Sequence, residues 1–402
     1  MTTEFDIELQ QRLDALREQN LLRELRRIDS PQAPRLQIGG KPFLNFSSND
    51  YLGLANDPLL KEAAIHAIEK FGAGSGASRL ICGSLAPHHE LEEALAGFKK
   101  TEAALVFSTG YAAALGTIGA LAGKNDIIII DKLVHASIVD AAKLSGAKLR
   151  VFSHNDLDDL EKILKWANEN VQSPESKAQS ASHPHILIVT ESVFSMDGDF
   201  APLKEMVALK KKYGAWLMVD EAHATGIFGK DGRGFAENCG VSQQIEIQMG
   251  TLGKALGASG GYICGSRQLV DYLINRARSF IFSTAPVPAA AAAATAAIHF
   301  LKSKSGEKRR NFLWERVAEL NSKLKIQNSK LSAIIPLMIG DENKAVQTAT
   351  ALRAQGILIP AIRYPTVARG AARLRLTMTA AHTAEDVEEL CDALKNLKSL
   401  AQ

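Results

Sequence analysis

An α/β architecture is predicted: a large, mostly parallel sheet with helices on both faces, a small α+β carboxy-terminal domain, and a helical segment at the amino terminus. Three observations predict it. Short, wholly apolar runs alternate with longer stretches of helical periodicity through the middle of the chain, as in parallel strands buried on both faces. The 402 residues exceed what a single core usually holds, so a second domain is expected. The apolar and charged fractions, 46% and 23%, are those of a globular chain and not a disordered one.

Taken in order, residues Ile7 to Ile28 repeat leucine and isoleucine at helical spacing among charges. This predicts an amphipathic helix docked on a larger body, with Arg23, Arg26 and Arg27 turned to solvent or a neighbour. A turn-rich stretch, Ser30 to Gly40, follows. The runs Ala104–Phe107, Ile127–Ile130, Ile186–Thr190, Trp216–Val219 and Gly261–Cys264 read as buried strands separated by helices. Gln172 to His185, rich in Ser, Pro and Ala, reads as a surface loop. An alanine-rich helix begins around Pro286 to Ala297 and continues through the charged segment Lys302 to Arg316, where the chain is expected to leave the large domain. Strand-like Ala333–Ile339 and Arg373–Met378 flank helical patterns beyond it. The expected division is 1–45, 46–290 and 291–402.

Composition removes several function classes. A net charge of +3, from 47 basic and 44 acidic residues without a basic run, gives no stripe for nucleic acid. The four cysteines, Cys82, Cys239, Cys264 and Cys391, form no C-x-x-C pair. They read as core thiols of a cytoplasmic protein, with no cysteine metal site. The charged first thirty residues are unlike a signal peptide, and the longest apolar run, Ala285 to Phe300, is too short and too alanine-rich to span a bilayer.

The cluster Gly72-Ala73-Gly74-Ser75-Gly76-Ala77 approaches a dinucleotide fingerprint. Its third glycine is replaced by Ala77 and a helical pattern precedes it, so close approach of backbone to a ligand or neighbouring subunit is the better expectation. More telling is Trp216–Val219, which runs into Asp220-Glu221-Ala222-His223. An acidic residue at the carboxyl end of a buried parallel strand stands where α/β proteins place ligands, although a helix cap is the plainer reading. Lys254 sits in the glycine-rich, apolar run 249–257, a setting that desolvates an ammonium and suits a Schiff-base lysine, where a solvated surface lysine is the plainer reading. Asp, His and Lys in this order together resemble the pyridoxal 5'-phosphate site of fold-type I enzymes, in which the carboxylate pairs with the pyridine nitrogen and the lysine carries the cofactor.

With these residues in place, the chain resembles the α-oxoamine synthases, fold-type I pyridoxal-phosphate transferases, from Asn45 to His382. The resemblance is carried by the runs at 45–54 (NFSSNDYLGL), 72–79, 108–111 (STGY), 131–137 (DKLVHAS) and 191–199 (ESVFSMDGD), with the Asp220 and Lys254 motifs. The runs 361–367 (AIRYPTV) and 372–377 (ARLRLT) are most like those of the members that condense L-alanine with pimeloyl-CoA, or a pimeloyl carrier-protein thioester, in biotin synthesis. Tyr364 departs from that likeness, since Tyr-Pro at this place is found in members that use glycine and acetyl-CoA. Other members join serine to palmitoyl-CoA, and some heteromeric relatives are non-catalytic subunits.

The resemblance implies roles. Lys254 would carry the cofactor and later take the α-proton of bound alanine. Asp220 would keep the pyridine nitrogen protonated, His223 would bond the phenolic oxygen, and His135 would stack on the ring. Gly110 and Tyr111 would offer backbone N–H groups, and Thr251 its hydroxyl, to the phosphate. Ser195 would contact the ring or its phenolic oxygen, with Glu191 and Asn49 in the same cleft. Arg375 would hold the substrate carboxylate, Arg373 being structural, while Arg23 and Thr366 would contact the acyl group. A homodimer with sites at the subunit interface is implied, in which residues near Ser283 and Thr284 reach the partner's cofactor phosphate.

Overall fold

The computed structural model describes residues 3–172, 184–325 and 332–400. The chain divides into two compact units, one comprising residues 1–48, 196–198 and 314–402, the other residues 49–195 and 199–313. The expected loop from Gln172 to His185 lies largely outside the described residues.

The first unit begins with the helix Glu4–Glu18, whose Thr3 and Asp6 form a reciprocal capping box. It corrects the expected helix through Ile28. The backbone turns left-handed at Asn20 (φ 55°), and the N–H groups of Leu21 and Leu22 fold back onto the Leu16 carbonyl. Arg23 therefore lies beyond the helix and is exposed. None of the helix residues is buried, so the helix shows no docked face among the described residues. Strands β1 (Arg35–Ile38) and β2 (Lys41–Asn45) then form a hairpin.

The larger unit holds β3 (Ala103–Phe107), β4 (Ile127–Asp131), β5 (Lys148–Phe152), β6 (Ile186–Glu191), β7 (Trp216–Asp220), β8 (Ile247–Thr251) and β9 (Gly261–Gly265). Their order in the sheet is β3-β9-β8-β7-β6-β4-β5, with β9 antiparallel to both neighbours and the five strands from β8 to β5 mutually parallel. Alternate side chains of single strands enter two different cores. Ile128 and Ile130 pack with Val189 and Met218 in one; Ile127 and Ile129 pack with Ile188 and Leu217 in the other. That two-sided burial is why these strands read as unbroken apolar runs.

Strand β8 escapes that pattern because Gln248 and Gly250 interrupt it. Gln248 spends its amide on the Ser242 carbonyl, and a side chain at Gly250 would meet the Tyr262 hydroxyl at 2.4 Å. The alanine-rich helix spans Pro288–Leu301 and packs on the helices Pro58–Phe71 and Ala86–Lys99. The boundary between the units falls inside the following helix, Lys304–Leu324.

The first unit is completed by β10 (Ile334–Gly340), β11 (Ile357–Leu358), β12 (Ala361–Ile362) and β13 (Ala372–Thr377), with β13 central between β10 and β12 and β11 added to β2. No helix of the described residues is long and apolar enough to cross a membrane. Two cysteines depart from the expected core thiols: Cys82 is exposed and Cys239 half-buried, while Cys264 and Cys391 are buried.

Candidate active site

Parallel strands end with their unpaired peptide groups and their last side chains at one edge, and the site is assembled there. Asp131 closes β4, Glu191 closes β6, Asp220 closes β7 and Thr251 closes β8. Glu191 and Asp220 are paired in register. Burial raises the pKa of Asp220, opposed by the charge on Lys254 and a hydrogen bond from the Ala222 N–H. Burial also raises Glu191, and the neighbouring Asp220 charge carries it to about 8. The Glu191 carboxylate accepts the backbone N–H groups of His135 and Ser195, yet its Oε1 is buried without a partner.

Three residues beyond Asp220 the chain turns, and the His223 ring is 5% exposed. Its Nε2 lies 2.7 Å from Lys254 Nζ and its Nδ1 lies 2.6 Å from the Tyr51 hydroxyl. When Lys254 is an ammonium it donates to Nε2, and Nδ1–H donates to the Tyr51 oxygen; when Lys254 is neutral, Tyr51 O–H donates to Nδ1 and Nε2–H donates to the amine. The loop carrying Lys254 is held close by Gly257 (φ 62°), where a side chain would strike the Ala55 nitrogen at 2.6 Å.

His135 is the N-cap of the helix Ala136–Ser145, its Nδ1 accepting the Ser137 N–H at 3.2 Å. The capping reading and a site role coexist. Desolvation lowers its pKa, with Asp220 opposing and Lys254 assisting, so the ring is neutral and all three groups share one electrostatic neighbourhood.

The helix Gly110–Leu121 starts beside Thr251, its Thr109 cap accepting the Ala112 N–H. A Cβ on Gly110 would stand 3.7 Å from the Thr251 Cβ. Gly261 permits this approach, since a side chain there would meet the Gly110 backbone at 2.6 Å. The first N–H groups of the helix, those of Gly110 and Tyr111, have no acceptor within it and face the positive end of its dipole. The Tyr111 hydroxyl donates to Asp140 Oδ2 at 2.6 Å. Asn49 contributes a buried, unpartnered Oδ1 to the same unit.

This donor set fits pyridoxal phosphate. Helix N–H groups and a threonine hydroxyl suit its phosphate, a buried carboxylate suits a protonated ring nitrogen, and an amine beside an imidazole suits its aldehyde carbon and phenolic oxygen. A cavity of about 1200 Å³ opens at the amino ends of β7 and β8, beside Trp216 and Ile247, and none of the predicted site residues lines it.

Arg375, Arg373, Thr366 and Arg23 belong to the other unit. Arg375 is buried on β13 and donates to the Thr377 hydroxyl at 2.9 Å. Arg373 on the same strand forms an ion pair with Asp197. Thr366 is exposed after the Tyr364–Pro365 cis peptide. Within this chain, side chains at Gly72, Gly74 and Gly76 would meet nothing within 4 Å. The glycine segment lies along 284–286 through a Ser78–Thr284 bridge and the Ser75 hydroxyl on the Pro286 carbonyl at 2.6 Å.

Two features were not read from the sequence. Tyr51 lies inside the run 45–54 but drew no role, since its partner is 172 residues away. Behind Asp220, Glu221 forms a fully buried ion pair with Lys99, 2.5 Å between Nζ and Oε2. Its other oxygen accepts the Ala236 N–H at 2.8 Å. No local pattern announces that pair.

Residues 41–394 match the aminotransferase class I and II family. An 8-amino-7-oxononanoate synthase from Geotalea daltonii is 45% identical over 391 residues, 96% of each chain. Among solved structures, a serine palmitoyltransferase from S. paucimobilis with bound PLP–myriocin aldimine aligns at TM-score 0.87 and 33% identity, over 97% of this chain and 96% of that one. An 8-amino-7-oxononanoate synthase from Francisella tularensis aligns at 0.73 and 29%, over 90% and 99%.

Proposed function

Because this chain belongs to the aminotransferase class I and II family, we propose that it is a pyridoxal-phosphate-dependent acyltransferase making 8-amino-7-oxononanoate for biotin synthesis from L-alanine and pimeloyl-CoA or a pimeloyl carrier-protein thioester. The observation that carries this reading is the meeting of Lys254, His223 and Asp220 at the carboxyl edge of the sheet. It occurs in a chain 45% identical, over 96% of its length, to a protein named for that activity.

When bound, pyridoxal phosphate supplies an electron sink for the charge that develops at the amino acid's α-carbon. Asp220, whose carboxyl the Lys254 charge pulls back toward ionisation against its burial, would hold the ring nitrogen protonated. Gly110 and Tyr111 N–H groups and the Thr251 hydroxyl would hold the phosphate, His135 would contact the ring, and Ser195 and His223 would orient the phenolic oxygen. Lys254 would attach the cofactor, and its amine would take the α-proton at Nζ, with His223 and Tyr51 shifting their shared protons to match. Arg375 grips the amino-acid carboxylate with two parallel N–H groups, a geometry lysine lacks. Arg23 and Thr366 face the acyl chain, and Asn49 and Glu191 complete the cleft. The new bond would join the alanine α-carbon to the acyl carbon as the C–S bond breaks and the thiol leaves with a proton; the bond from the α-carbon to its carboxylate would then break, carbon dioxide leaving and a proton being returned to that carbon.

The protein acts as a homodimer in the cytoplasm in this reading, with Ser283 and Thr284 serving the partner's phosphate. Exposed Ile81 and Phe282 on the larger unit support a covered face. A second reading keeps the chemistry and changes the substrates. The higher TM-score with serine palmitoyltransferase, 0.87 against 0.73, favours it, and an acyl pocket discriminates by only about 1–3 kcal/mol per methylene.

The test is free-thiol release by the cofactor-loaded enzyme with alanine plus pimeloyl-CoA, glycine plus acetyl-CoA, and serine plus palmitoyl-CoA. Preference for the first pair is expected. Preference for another pair would transfer the protein to that pathway, and a protein that binds no cofactor would be a non-catalytic subunit.

A further inference from the structure

We propose that His154 is a positioning residue of the cofactor site, an imidazole clamped between Asp131 and Asp199 that ties the loop bearing His135 to the loop bearing Ser195. The inference rests on the reading above, in which His135 and Ser195 contact the cofactor.

His154 follows β5, and its Nδ1 lies 2.9 Å from Asp131 Oδ1. Its Nε2 lies 2.7 Å from Asp199 Oδ2. Carboxylate oxygens only accept, so both ring nitrogens donate and the ring is an imidazolium. Burial opposes that charge, but the two carboxylates outweigh it and raise the pKa to about 10.

The Asp131 carboxylate shapes its own loop, and Asp199 holds its loop through its backbone carbonyl. Asp131 is fully buried. Its Oδ1 also accepts the Leu133 N–H at 2.8 Å, the turn that leads into His135. Its Oδ2 accepts the Asn155 N–H at 2.9 Å. On the other side, the Asp199 carbonyl accepts the Phe194 N–H at 3.0 Å, fixing the residue before Ser195. The Phe194 ring meets the His154 ring edge-on, centroids 4.4 Å apart. Asn155, left-handed at φ 57°, repeats the link by donating to Asp199 Oδ2 at 3.0 Å.

The same two loops are joined a second time from inside, where Glu191 accepts the N–H groups of both His135 and Ser195. Two cross-braces on one pair of loops leave little freedom for the separation of the residues they carry. Cofactor-ring contacts depend on that separation, because loss of a fraction of an ångström at a supporting residue loosens the groups that touch the ligand.

The experiment compares His154→Ala, Asp199→Asn and His135→Ala in the full chain reconstituted with pyridoxal phosphate. It reads the cofactor dissociation constant and the induced circular dichroism of the cofactor band, which reports a fixed ring orientation. In both clamp variants, binding is expected to weaken about tenfold, as for a lost hydrogen bond between charged groups, with a reduced dichroic signal. Added imidazole should restore part of both in His154→Ala, because the His154 side chain is 24% exposed and its place is open to solvent. Asp199 is 41% exposed, so Asp199→Asn decides the matter if His154→Ala does not fold. Undiminished affinity and dichroism in the clamp variants, beside a dimmed His135→Ala, overturn the clamp alone. An undimmed His135→Ala overturns the contact reading on which it rests.

Discussion

Glu191 and Asp220 stand opposite each other in register at the carboxyl ends of β6 and β7, two buried carboxylates on neighbouring parallel strands. Like charges so placed cannot both ionise cheaply: burial raises both carboxyls, and the Asp220 charge adds to burial in pushing Glu191 to about 8.

This pair gives the cofactor-free protein a pH dependence with a definite sign. Glu191 ionises near 4.5 in the unfolded chain and near 8 in the folded one. Between those values the folded state holds more protons, so stability falls as pH rises, and the loss is complete above the upper value. Glu191→Gln should flatten that slope. Thermal unfolding of both proteins at the two ends of the window checks it, and parallel slopes would refute it.

Lys254→Ala removes the amine that stands 2.7 Å from His223 Nε2. Cofactor is expected to remain extractable after borohydride reduction, whereas the wild-type chain gains the mass of the reduced cofactor. Thiol release by the variant should vanish. Covalent capture by the variant would point to another lysine.

Tyr51→Phe keeps the ring and deletes the hydroxyl 2.6 Å from His223 Nδ1. Loss of one hydrogen bond in the proton-shifting chain should lower kcat about tenfold. KM for the amino acid should change little. A change in KM alone would make the hydroxyl a binding group and not part of proton movement.

Lys99→Met leaves Glu221 as a buried carboxylate without its ammonium. A cost of about 3–5 kcal/mol in denaturant unfolding is expected. Adding Glu221→Gln should recover much of it, because the uncompensated charge is then gone. Gly234 is tied to the same pair: its φ is 133° and a side chain would lie 2.2 Å from Glu221 Oε2, so Gly234→Ala should destabilise as well.

The likeness of the run 45–54 placed Tyr51 in the motif set, and the strand-end position of Asp220, taken together with His223 and Lys254, pointed to a site before any contact was known. The local chain is enough for such inferences, because a strand buried on both faces has no room for polar residues until it ends. The structure then joined His223 to Lys254 and gathered His135, Asp220 and Glu191 into one electrostatic neighbourhood. The amino-terminal helix was overextended from its periodicity, since repeating leucines continue past the left-handed turn at Asn20 that ends it.

The sequence by itself determined the α/β class, the five apolar strands and the order of the chemical groups along the chain, all of which follow from short-range patterns of burial. Only the tertiary structure decided that β8 is a strand, that Lys99 neutralises Glu221, and that His154 bridges Asp131 and Asp199. In each case the stabilising partner is distant in sequence: 122 residues for the ion pair and 23 and 45 for the two ends of the bridge. A buried charge is tolerated only beside its counter-charge, and which one it meets is fixed by how the strands are ordered in the sheet.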